Sequence, residues 1–100
     1  MTIILQQDIC ADAKVSHGRK TIYKTYPSGI KPNVGDYVEG DSLWDSSKEY
    51  AVKAVLICFE DKSCTVVLDD LEVSNVKEMF NTALKHHGWI DALGLQKQLK

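Results

Sequence analysis

The sequence predicts an α+β domain in which an antiparallel sheet of four to five strands is followed by one or two C-terminal helices. Residues 1–73 contain short β-branched runs separated by glycine, proline and acidic turns, whereas residues 74–100 show helical periodicity. Strands first and helices second is the order typical of α+β proteins rather than of βαβ repeats. The 100 residues are therefore predicted to form a single domain, mainly β over residues 1–73 and mainly helical over residues 74–100.

A β-hairpin over residues 50–68 is predicted to form the centre of this fold. Residues 51–59 and 64–68 are apolar runs, and the short segment between them is polar and suited to a turn. Apolar residues occupy both the odd and the even positions from Ala54 to Phe59. This pattern predicts a central strand that is covered on both faces.

The register of this hairpin is open between two alternatives. A loop with an even number of residues pairs Phe59 with Cys64 and places Cys58 and Cys64 on opposite faces, because side chains alternate along a strand. A loop of five residues instead pairs Cys58 with Cys64 and sets Lys53 opposite Asp69. Both registers give apolar faces, so the sequence does not choose between them.

The preceding chain contains further strand signals. Residues 2–6 predict a first strand and residues 20–26 alternate well enough to predict another, whereas residues 8–16 fit either a short helix or a strand. The segment KPNVGDYV, residues 31–38, uses proline and glycine to start a strand. It resembles the lead-in to a strand in small SH3-like barrels, and this resemblance favours a strongly bent sheet, curled toward such a barrel.

The C-terminal quarter predicts a capped amphipathic helix. Asn75 and Glu78 have capping-box spacing, and Gly88 suits the position after the last helical turn. A second, shorter amphipathic segment follows from Trp89. One apolar stripe of the first helix comprises Val76, Met79, Phe80, Ala83 and Leu84. The predicted core that joins hairpin and helix comprises Val55, Ile57, Val66, Phe80 and Leu84.

Composition excludes several classes of protein. The three cysteines have no disulfide or zinc spacing, so we expect reduced thiols, no metal and no cofactor in a cytoplasmic protein. No apolar run is long enough for a membrane span. The carboxylates of Asp69 and Asp70 point to opposite faces of a strand end, and adjacent histidines on a helix diverge. We therefore expect no enzyme activity.

The preferred binding surface is a polar loop in the acidic middle of the chain. Residues 39–49 are polar except for Leu43 and Trp44, and loops of this length often carry function. The candidate contacts are Leu43, Trp44 and Asp45. They predict a non-catalytic protein-interaction or regulatory module whose partner is another protein; the oligomeric state is not predicted. The alternative for Leu43 and Trp44 is that they pack under the edge of the sheet, because aromatic residues commonly serve packing.

Nucleic-acid binding through residues 14–31 is the alternative. This segment carries five lysine or arginine residues with no acid between Asp12 and Asp36, whereas the whole chain has a net charge of −2. Cations that contact phosphates and aromatic rings that stack on bases are the elements of single-strand recognition. The candidate residues are Arg19, Lys20, Tyr23, Lys24 and Tyr26.

Overall fold

A computed structural model shows the predicted α+β fold, with a curled half-barrel sheet followed by two C-terminal helices. The structure describes residues 2–12, 18–27, 32–44 and 48–98. The strands are β1 (Thr2–Cys10), β2 (Lys20–Pro27), β3 (Tyr37–Glu39), β4 (Glu49–Cys58), β5 (Ser63–Leu68) and β6 (Leu71–Glu72). The helices are α1 (Asp41–Trp44), α2 (Val76–His86) and α3 (Ala92–Gln98). Within the described ranges, no helix has the length and apolar character needed to cross a membrane.

The sheet is mixed, which corrects the prediction of a purely antiparallel sheet. Its strand order is β2-β1-β5-β4-β3, and β6 also pairs with β1. β1 runs antiparallel to β2 but parallel to both β5 and β6. A parallel pair needs a long crossover connection, and here the pairing joins strands separated by most of the chain. Local sequence patterns identify hairpin neighbours and carry no signal for such a pairing.

The β4–β5 hairpin forms in neither of the two predicted registers. Cys58 lies opposite Ser63 and Ile57 opposite Cys64, so the turn comprises residues 59–62. This loop is even, and it places Cys58 and Cys64 on opposite faces as the even-loop alternative required. A register shift between Val52 and Ala54 marks a β-bulge at Lys53.

β4 is not the central strand that its apolar residues predicted. β5 lies at the middle of the sheet, and only the short strand β3 follows beyond β4. β3 pairs with Glu49, Tyr50 and Ala51 alone. Consequently β3 pairs with the first part of β4, and the second part of β4 forms an edge of the sheet.

The core lies on the face of the sheet that α2 covers, and it also includes Leu43, Trp44 and Trp89. Alternate residues of β1 and β5 share this face, because Ile3 pairs with Cys64 and Leu5 with Val66. The predicted stripe of α2 packs on this face, with Ala83 fully buried and its other members partly buried. Val66 is buried, and Val55, Phe80 and Leu84 pack against the core, but Ile57 is 38% exposed and was wrongly assigned to it.

The ends of α2 match the prediction. Asn75 is the N-cap, and its side chain accepts a hydrogen bond of 3.1 Å from the backbone N–H of Glu78. His87 is the C-cap, and Gly88 follows with a φ of +74°. Glycine adopts this left-handed conformation without the steric cost that other residues incur. The chain can therefore reverse here and place Trp89 back in the core.

Candidate functional site

Leu43 and Trp44, two of the predicted partner contacts, are buried in the core, which agrees with the alternative that they serve packing. The segment around them was expected to be a surface loop, but Asp41–Trp44 forms one helical turn that begins with hydrogen bonds to the Gly40 carbonyl. Trp44 is only 7% exposed, and its ring stacks on that of Trp89 with 5.1 Å between ring centroids. Asp45, the third predicted contact, lies outside the described residues. The isolated chain thus offers a partner almost none of the surface of Leu43 or Trp44.

Hydrogen bonds explain why this short helical turn docks inward. The indole N–H of Trp44 donates to the side-chain oxygen of Gln7 at 2.9 Å, and the indole N–H of Trp89 donates to the Leu43 carbonyl at 3.0 Å. The side-chain amide of Gln7 in turn donates to the Asp69 carbonyl at 2.8 Å. Gln7 is fully buried. Every polar atom in this network has a partner, which is the condition under which buried polar groups stabilise a core.

A second group of polar side chains, the polar cluster, joins three strands, β1, β2 and β4, to the link between β5 and β6. Arg19 is hydrogen-bonded to both Asp8 and Asp70, and Lys53 donates to Asp70 at 3.0 Å. Thr21 donates to Asp8 at 2.7 Å. The cluster borders an open depression of about 510 Å³ lined by Lys48, Lys53, Asp69, Asp70 and Glu72.

The charges of the polar cluster stabilise one another. Partial burial alone would raise the pKa of Asp70, but hydrogen bonds from Arg19 and Lys53 outweigh it and lower that pKa below its usual value. The hydrogen bond to Asp70 raises the pKa of Arg19. Burial raises the pKa of the neighbouring Cys10 thiol above its usual value. Cations and carboxylates are balanced within the cluster, so its role in the isolated chain is to hold strands together.

The five residues of the predicted nucleic-acid surface are divided between two faces, because Lys20, Lys24 and Tyr26 share one face of β2 and Tyr23 lies on the other. Arg19 is engaged by two carboxylates in the polar cluster. The ammonium group of Lys20 lies 5.6 Å from the Phe80 ring centroid, and that of Lys24 lies 5.1 Å from the Trp89 ring centroid. Lys14 and Lys31 lie outside the described residues.

The two tyrosines of that surface lie on opposite faces of the sheet. Tyr23 pairs with Gln6 and Tyr26 with Ile3 in the β1–β2 ladder. Side chains alternate along a strand, so an odd separation of three residues puts the two rings on different sides. One single strand of nucleic acid could not stack on both rings at once.

The outer edge of β4 over residues 54–58, together with Phe59 in the turn, forms a surface that we call the hairpin edge. The segment that contains β3 covers this edge of β4 only as far as Val52, whose backbone groups bond to Gly35 and Asp36. In the portion of the chain that the structure describes, no strand pairs with β4 beyond that point on this side. An unpaired edge presents backbone N–H and C=O groups in the spacing that another strand requires.

The hairpin edge is also apolar. Leu56 is 60% exposed, Ile57 38% and Phe59 87%, and the exposed Cys58 lies among them. Residues 54–59 contain no charge and no proline. Natural sheets usually protect an edge with lysine, proline or a covering loop. The apolar run contains no lysine or proline, and within residues 2–12, 18–27, 32–44 and 48–98 no strand pairs over it.

The hairpin edge was not predicted because the same residues fit a central strand. Apolar side chains at both parities fit a strand covered on two faces, but they fit an exposed binding edge equally well. The available signal was the position of Phe59, which lies directly beside the acidic turn residues Glu60 and Asp61. A phenylalanine at a hairpin tip is exposed unless another element reaches over it.

The thiols are separated in space. Cys10 and Cys64 are buried, whereas Cys58 is exposed and its thiol donates to the Asp61 carboxylate at 3.4 Å. Among residues 2–12, 18–27, 32–44 and 48–98, no three or more metal-binding side chains lie together. Comparisons with protein-family models, with curated proteins and with solved structures found no match to this chain.

Proposed function

We propose that this chain is a non-catalytic protein-interaction module that binds an extended segment of a partner protein along the hairpin edge. The observation that carries the proposal is the coincidence of an unpaired strand edge with exposed Leu56, Ile57 and Phe59. Exposed apolar side chains are common singly, but a contiguous group along an open strand is typical of an interaction site. The three free thiols, one of them exposed, support a cytoplasmic location for this module.

Strand addition explains how such an edge would recognise its partner. Backbone hydrogen bonds to residues 54–58 would supply affinity for any extended chain, and the exposed side chains would select apolar residues at alternate positions. Leu56 projects from one face of β4, while Ile57 projects from the other, because neighbouring side chains alternate. The partner segment would therefore place apolar residues on both sides of the extended sheet.

The two surfaces chosen from the sequence are less favoured as proposals. Binding through Leu43 and Trp44 would require the partner to extract buried side chains from the core. Nucleic-acid binding through residues 14–31 has less support because Arg19 is already neutralised by Asp8 and Asp70. Affinity for nucleic acid depends on cations that are available to replace condensed counterions.

Selection of peptides from a phage-displayed random library tests the proposal without a known partner. We expect the wild-type chain to select extended apolar peptides, and Leu56→Lys to weaken their binding about ten-fold or more. A lysine here adds the charge that natural proteins use to block strand addition.

Leu93→Lys on α3 is the matched control, because Leu93 is also a leucine on the surface and is 68% exposed. This variant should bind the selected peptides as the wild type does. Unfolding curves should show that both substitutions change stability by no more than about 0.5 kcal/mol, as is usual for surface positions. Equal binding by all three proteins, or loss of binding in both variants, would show that the hairpin edge is not the site.

A further inference from the structure

We infer that the hairpin edge accepts a second copy of this chain, with two β4 strands pairing antiparallel about a two-fold axis at Leu56. This inference rests on the proposed function and names its partner. A self-complementary edge is what such an isologous contact needs, because each residue of one copy meets the symmetry-related residue of the other. Residues 54–58 of β4 meet this requirement.

The register follows from the length of the open edge. Only a ladder centred on Leu56 uses the whole of residues 54–58 in both copies, because the strand is covered before residue 53 and turns after Cys58. It places Leu56 opposite its own copy and Val55 opposite Ile57. Apolar and β-branched cross-strand pairs of this kind stabilise antiparallel ladders. Ladders centred on other residues would pair fewer positions.

Charge complementarity favours this antiparallel arrangement. Lys53 precedes the apolar run and keeps 44% of its side chain exposed beside its bond to Asp70, and the acidic turn residues Glu60 and Asp61 follow the run. Antiparallel pairing brings Lys53 of one copy next to the acidic turn of the other, and the symmetry repeats this contact at the second end. A parallel pairing would instead place Lys53 beside its own copy, where like charges repel.

The contact would be weak. Pairing one short strand with its copy buries less area than a standard stable interface, so the contact belongs with small transient interfaces. We expect a dissociation constant between roughly 1 µM and 1 mM, with monomer predominating in dilute solution.

Sedimentation equilibrium of the full chain with charge variants at the axis tests the inference. We expect the wild type to show a concentration-dependent dimer, and Leu56→Lys and Leu56→Glu each to be monomeric because they place like charges opposite each other. An equimolar mixture of these two variants should recover the dimer, because each lysine then faces a glutamate. Recovery in the mixture also shows that neither variant had lost its fold.

The outcomes separate this inference from the proposed function. A wild-type chain that stays monomeric at about 1 mM overturns self-pairing, and Leu56-dependent peptide binding would then still support the interaction module. A dimer that persists in Leu56→Lys, or a mixture that stays monomeric, also overturns it because the axis would not lie at Leu56. Leu93→Lys should dimerise like the wild type, and its failure to do so would contradict the proposed contact.

Discussion

Replacement of Trp44 by alanine is expected to lower the free energy of unfolding by about 3–5 kcal/mol, the usual cost of removing a buried tryptophan. The ring stacks on Trp89 and also contacts the His87 ring, with a centroid distance of 5.3 Å. Its loss would also leave the Gln7 oxygen without its donor. Chemical denaturation should show the loss as a lower midpoint with little change in the slope.

Tyr37→Ala is the matched control for this substitution, because Tyr37 is an aromatic residue that is 67% exposed. Its effect should lie within about 0.5 kcal/mol of zero. A Trp44→Ala loss equally small would place Trp44 at the surface, where a partner contact would lie. The experiment therefore decides between packing and binding as the role of this residue.

Replacement of Gln7 by glutamate is expected to destabilise the protein by about 3–5 kcal/mol at pH 7, because it places an unpaired charge in the core. The carboxylate cannot donate to the Asp69 carbonyl as the Gln7 amide does. Burial would raise the pKa of the new carboxyl above its ordinary value of about 4.3. The folded state would then bind the proton more tightly than the unfolded state.

The sign of this linkage gives a specific pH dependence. Relative to Gln7→Leu, the stability of Gln7→Glu should be greatest below about pH 4.3, where its new carboxyl is protonated in both states, and should fall by up to about 1.4 kcal/mol per pH unit as the pH rises toward the raised pKa. Gln7→Leu is the control, since it removes both hydrogen bonds but adds no titrating group. If the stability difference between these two variants did not change with pH, Gln7 would not be buried as described.

The sequence predicted correctly those parts of the fold that depend on residues close to one another along the chain. The cap at Asn75, the stripe of α2 and the reversal at Gly88 all depend on residues within one or two helical turns of each other. The hairpin over β4 and β5 was also predicted, since its strands are neighbours along the chain. Its register differed because Phe59 belongs to the turn rather than to the strand.

Long-range contacts determined what the sequence could not predict. The parallel pairing of β1 with β5 moves β4 away from the centre of the sheet. The burial of Trp44 depends on Gln7 and Trp89, which lie far from it along the chain. Likewise, Lys20 and Lys24 lie over aromatic rings that α2 and its following segment supply. In each case the sequence pattern of one segment fits several structures, and only its contact with a distant segment distinguishes them.

Amide hydrogen exchange along β4 in dilute solution tests most directly the claim that this strand has an open edge. Alternate amides of residues 54–58 point away from β5 and should exchange rapidly, whereas the amides that bond to β5 should be protected. At high protein concentration, or with a selected peptide, the rapidly exchanging amides should become protected. Uniform protection of residues 54–58 in the dilute chain would mean that this edge is already covered, and it would contradict the account.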